Sequence, residues 1–126
     1  VSAVAAAIEV LRVLAVAARV EAGRVSEGPV PLLARLRLEG AGCRRRDQVA
    51  RARFDRAVRL VDRCFPGGPN CYRRVLLAVA LDGGAAAQGI CLALKAGGGP
   101  GTGHAYFADD AEREAGTRGF DVVFEI

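Results

Sequence analysis

The chain has 126 residues, 52% of them apolar and 25% charged, with a net charge of +4. That length suits a single domain with a real core, and that apolar share excludes an intrinsically disordered chain. The charge excess is modest and local: residues 44–63 hold eight Arg against three Asp. The run Arg44-Arg45-Arg46 could meet an acidic partner. No aromatic residues interleave with these arginines, so a nucleic-acid partner is not expected and a solvated helix start is the favoured reading.

The N-terminal stretch is rich in Ala, Val, Ile and Leu, but Glu9, Arg12 and Arg19 interrupt it. It falls short of the ~20 clean apolar residues a membrane span needs. No basic segment precedes an unbroken apolar run, so it does not read as a signal peptide either. Its polar residues fall on one side of a helix, which predicts an amphipathic helix over 2–20. Pro31 then opens a helix over 31–38, with Gly40 as its stop. Asp47 reads as an N-cap, and Ala50, Phe54, Ala57, Val58, Val61 and Phe65 recur at helical spacing, predicting a helix over 48–64. Pro66-Gly67-Gly68-Pro69 makes a tight loop. Asn70 caps a fourth helix starting at Cys71 and closed by Asp82-Gly83-Gly84. Its apolar run after the first turn marks it as central and buried.

Beyond Gln88 the texture changes to strands, over 89–95, 104–108 and 120–126, with a glycine-rich loop at 97–103 and a second loop at 109–119. The glycine loop lacks a Gly-Lys-Ser/Thr ending and leads into a strand, so it is not a phosphate loop. Helices first and an antiparallel sheet after define an α+β single domain, with a helical part at 1–65 and a sheet-bearing part at 66–126.

Four cysteines stand at 43, 64, 71 and 91, and the chain has one histidine, His104. There is no C-x-x-C pair, and with a lone His the spacing does not suggest a metal site. Free thiols and a reducing cytoplasm are expected, although the spacing of Cys64 and Cys71 also admits a disulfide. Cys43 and Cys64 read as packing residues, and Cys91 as a mid-strand thiol. Cys71 differs, because at a helix N-terminus unpaired N–H groups and the helix dipole favour negative charge on sulfur. Its backbone N–H could donate to an oxyanion, and a nearby imidazole could take and return a proton. If strand 104–108 pairs directly with strand 120–126 so that His104 lies opposite Asp121, the carboxylate orients the ring, and His104 faces the helix start bearing Cys71. Phe120, Val122, Phe124 and Ile126 then form the core face of the last strand.

These residues resemble a known family. Cysteine at the head of a buried helix, then a strand beginning His-Ala-aromatic, then an acid on the next strand, is similar to the transglutaminase-like superfamily of papain-type cysteine enzymes. Arg63-Cys64-Phe65-Pro66, Asn70-Cys71 and Gly103-His104-Ala105-Tyr106 are most similar to leader peptidases of lasso-peptide biosynthesis, over about residues 60–126. The resemblance implies a papain-like fold and a catalytic triad of Cys71, His104 and Asp121, with no cofactor. It also implies a ribosomally made precursor peptide as substrate, a separate leader-binding protein and a ring-forming cyclase. Asn70, Tyr72 and Tyr106 are the expected substrate contacts. Tyr106 stands where the family usually has Trp, and Asp109 and Asp110 are alternative orienting acids. A non-catalytic peptide-binding module on the same fold, or an acyltransferase or amidase using the same triad, are the alternatives.

Overall fold

The computed structural model describes residues 2–94, 103–110 and 122–126. Helix α1 (Ala3–Ser26) starts where the Ser2 hydroxyl accepts a hydrogen bond from the Ala5 N–H at 3.0 Å. It runs well past the expected end at residue 20. Gly23 does not break it, because its bare Cα is a contact point: a Cβ there would come within 2.8 Å of Leu32 Cδ1. Helix α2 (Pro29–Ala41) begins two residues ahead of the expected Pro31 start. Both Pro29 and Pro31 fit the first turn, where backbone N–H groups have no intrahelical partner. Gly40, expected as a stop, lies inside α2. A Cβ on it would fall 1.7 Å from the carbonyl oxygen of Val79, so it lets two helix backbones touch.

Helix α3 (Gln48–Asp62) and helix α4 (Cys71–Leu81) begin at their expected caps. The Asp47 carboxylate accepts from Ala50 N at 2.8 Å, and Asn70 Oδ1 accepts from Arg73 N at 2.9 Å. Asp82 ends α4 and caps a short α5 (Gly83–Ala86) that the sequence reading did not separate. Leu76, Leu77 and Val79 of α4 are fully buried among Val13 and Val20 of α1, Leu32 and Leu36 of α2, and Val58 and Val61 of α3. Burying each such side chain contributes about 1.5–3 kcal/mol. Helix α4 packs on α1, α2 and the strand at Gly103–Phe107, while α3 packs on α1.

Strands β1 (Ile90–Leu94), β2 (Gly103–Phe107) and β3 (Val122–Glu125) form an antiparallel sheet in the order β2-β1-β3. This corrects the expected direct pairing of strand 104–108 with strand 120–126. His104 lies opposite Ala93 of β1, and Ala93 lies opposite Val123 of β3. The apolar β1, with Ile90 and Ala93 both buried, takes the centre, where both edges of its backbone are satisfied. One sheet face packs on the helices through Ile90, Leu92, Ala105, Phe107 and Ile126, and the other carries Cys91, Ala93 and Tyr106. Arg37 of α2 ties helices to sheet by donating from Nη2 to the carbonyls of Gln88 (3.0 Å) and Ile126 (2.8 Å). The protein is thus α+β, and no described helix is long and apolar enough to cross a membrane.

Candidate active site

The loop before Cys71 is shaped by Gly67 and Gly68, at φ +85° and +67°, a region open to glycine and strained for other residues. Gly68 N–H donates to the Phe65 carbonyl at 3.2 Å, and the chain then rises into Asn70 and α4. Arg73 in the first turn locks this entry. It is 2% exposed and donates to Asp62 (2.6 Å), Glu21 (3.1 Å) and the Gly68 carbonyl (2.8 Å), with its guanidinium 4.7 Å from the Phe65 ring centre. Burial alone would favour loss of its proton, but Asp62 and Glu21 outweigh that and hold it more firmly charged than an ordinary arginine. Arg74 pairs with Asp55 at 2.8 Å. Both arginines after Cys71 therefore serve the fold.

Cys71 opens onto a cavity of about 810 Å³ between the head of α4, the turn from α1 to α2, and the sheet. Its Sγ accepts a hydrogen bond from Ala105 N–H at 3.4 Å. The strand residue that meets the thiol is thus the one after His104. His104 lines the same cavity, at the start of β2. By strand alternation it shares the sheet side of Tyr106, with the two rings 5.5 Å apart, while Ala105 between them points to the helices. Cys71 and His104 thus line one cavity, the imidazole lies toward Tyr106, and among the described residues no hydrogen bond joins it to the thiol. The expectation that His104 lies opposite Asp121 fails with the strand order. Asp121 itself lies outside the described residues.

Of the expected substrate contacts, Asn70 and Tyr72 line the cavity with Cys71. Arg24 lies 5.1 Å from the Tyr72 ring centre, and burial pushes the phenol's pKa up while Arg24 pulls it partly back. Tyr106 is not among the lining residues. It is 8% exposed and packs with Cys91 and Ala93 on the other sheet face. Asp109 and Asp110 sit in a short 3-10 turn just after β2, the first exposed and the second half-buried.

The sequence reading missed the apolar wall of Leu32, Leu92, Phe124 and Ile126. It assigned Phe124 to the core, yet the ring is 50% exposed and borders the cavity. Alternation along the last strand puts Phe124 and Ile126 on one side but cannot say that the side faces a hollow. All four cysteines are free, with Cys64 exposed and Cys91 buried. Among the described residues no group of three His, Cys, Asp or Glu side chains converges as a metal site would require. Comparison with family models, curated proteins and solved structures returns no match.

Proposed function

We propose that the protein is a cysteine peptidase of transglutaminase-like type that removes a leader segment from a ribosomally made, lasso-type precursor peptide. One observation carries the reading: the thiol at the head of α4 and the chain's single histidine border the same cavity. Its volume of about 810 Å³ lies within the range of ligand sites and accommodates a few peptide residues. In the proposed reaction Cys71 Sγ attacks the scissile carbonyl carbon, and its proton passes to His104. The Cys71 N–H would face the developing oxyanion, while the Asn70 side chain is engaged as the α4 cap. His104 then gives the proton to the departing amine, and water releases the acyl group from sulfur. The step requires the imidazole to reach Sγ from the Tyr106 side of β2, which takes a shift of the strand backbone at His104 as well as a rotamer change. Asp121 is the proposed orienting acid, with Asp109 and Asp110 as alternatives. A leader-binding protein and a cyclase are the partners this reading implies.

The test combines peptide cleavage with thiol labelling. Wild-type protein is expected to cleave members of a mixed peptide pool. Cys71→Ala should abolish cleavage, and His104→Ala should lower it by about 10²–10⁴-fold, the range of general acid–base catalysis. Iodoacetamide should label Cys71 faster in the wild type than in His104→Ala, with Cys64 as the internal reference. Cleavage that survives Cys71→Ala refutes the assignment.

The hydrogen bond from Ala105 N–H to Sγ, with His104 on the Tyr106 side, favours a second reading: a peptide-binding module without catalysis. In that case peptide binding persists in Cys71→Ala, and labelling of Cys71 ignores His104→Ala. Amide formation by the same residues would share the acyl-enzyme and differ only in the accepting nucleophile.

A further inference from the structure

At the other end of α4 from Cys71, about 15 Å along the helix by its rise per residue, lies a second hollow of about 530 Å³. Five guanidinium-bearing residues line it: Arg12 from α1, Arg44, Arg45 and Arg46 from the loop before α3, and Arg53 from α3. The one acid on its wall, Asp47, is committed as the α3 cap, accepting from Ala50 N at 2.8 Å. Glu9 behind the wall is 2% exposed and serves two arginines, Arg46 in a close ion pair and Arg12 at 3.5 Å. Arg46 also donates to the Leu81 carbonyl at 3.0 Å, so it belongs to the wall.

Arg44, Arg45 and Arg53 have no ion-pair partner among the described residues. Arg53 is half-buried, and its Nε is shielded from solvent with no hydrogen-bond partner. Outside the hollow Arg19, Arg24, Arg35, Arg73 and Arg74 are ion-paired, while Arg37 and Arg51 donate to backbone carbonyls instead. Arg56, Arg59 and Arg63 also lack an ion-pair partner among the described residues and are exposed, as Arg44 and Arg45 are; what sets Arg44, Arg45 and Arg53 apart is that they line one hollow. Lining one concave surface with like charges is unfavourable unless an anion enters, and such a shape focuses its field outward.

The loop that carries these arginines is rigidly moored. Asp82 Oδ1 accepts from Arg46 N (3.0 Å) and Gly84 N (2.9 Å), and Gly83 N–H donates to the Arg44 carbonyl at 3.2 Å. A Cβ on Gly83 would fall 2.3 Å from the Cys43 carbonyl oxygen, so the loop lies directly on the turn after α4. The guanidiniums are presented on a fixed backbone, which lowers the ordering cost of binding.

We infer that this hollow is a binding site for a small phosphate-type polyanion. Guanidinium forks match phosphate oxygens in pairs. An extended acidic peptide delivers one charge per side chain, with successive residues ~3.3–3.6 Å apart along the backbone. A phosphoanhydride places several charges within one hollow, which suits a wall lined by Arg44, Arg45 and Arg53. The wall offers no aromatic ring to stack a base, since Phe54 lies under Arg46 at 5.3 Å, so the assignment is to the phosphate portion alone. The inference is independent of any role for Cys71.

Titration calorimetry of the whole chain with inorganic pyrophosphate, at constant ionic strength, tests it. Saturable binding is expected. Arg53→Gln and the double variant Arg44→Ala/Arg45→Ala should each weaken it about tenfold or more, a loss of about one charge-assisted contact. Arg59→Ala, the charge-matched control outside the hollow, should leave it unchanged. Circular dichroism of each variant establishes that the fold is kept. Absence of saturable binding, equal affinity across all variants, or binding of hexaglutamate but not pyrophosphate would each overturn the assignment.

Discussion

Replacing Arg73 by methionine removes the guanidinium that locks the entry to α4 while keeping most of the stem's apolar volume. Asp62, 6% exposed, would then keep a buried carboxylate that has lost its 2.6 Å partner. Breaking one side of a buried pair costs about 3–5 kcal/mol, whereas the contact to the more exposed Glu21 adds less than about 1 kcal/mol. The Gly68 carbonyl would lose its donor as well, which frees the loop leading to Asn70 and Cys71. Arg73→Met should therefore lower unfolding free energy by about 3–5 kcal/mol in urea denaturation. The double variant Arg73→Met/Asp62→Leu removes both charges together and should recover more than half of that loss. A single variant that loses under about 1 kcal/mol, or a double variant no better than the single, would refute the claim that the buried charge pair, and not side-chain packing, secures this corner.

Gly40→Ala should destabilise by about 2 kcal/mol or more, because the collision with Val79 O exceeds the ~1 kcal/mol gained in helix propensity. Gly42→Ala, where a Cβ would meet only Glu39 O at 3.5 Å, should be near neutral, and equal melting behaviour of the two would contradict the contact. Tyr72 offers a pH test. Its folded pKa is raised by burial, so its stabilising contribution is complete below the ordinary tyrosine value near 10 and disappears as pH rises through the folded value. Stability of the wild type should therefore fall more steeply above about pH 10 than that of Tyr72→Phe, and parallel curves would count against the burial of the phenol. Leu92→Asp, which puts a charge on the apolar cavity wall, should weaken peptide binding at least tenfold by calorimetry while Cys71 remains open to iodoacetamide.

Much of the helical half was legible residue by residue. Asp47 and Asn70 cap where their side chains predict, since a cap bonds a backbone N–H three residues on and needs nothing from the rest of the chain. The placement of Cys71 at the first helical position followed from that cap. The apolar run of α4 announced its burial for the same local reason. Glycines misled, because a bare Cα means either a chain end or a close approach, and the neighbour that decides is distant in sequence. Gly23 meets Leu32, and Gly40 meets Val79.

The site was legible as a set of residues and not as a geometry. Sequence alone determined the α+β division, the starts of α3 and α4, and the presence of one thiol at a helix head with one histidine on a later strand. Tertiary structure alone decided that β1 separates β2 from β3, that Ala105 and not His104 meets the sulfur, and that Phe124 borders a cavity. The physical reason is range. Capping and periodicity act within a turn or two of the chain, whereas strand order is set by which strand buries both its faces and satisfies both its edges. That choice depends on every other element at once.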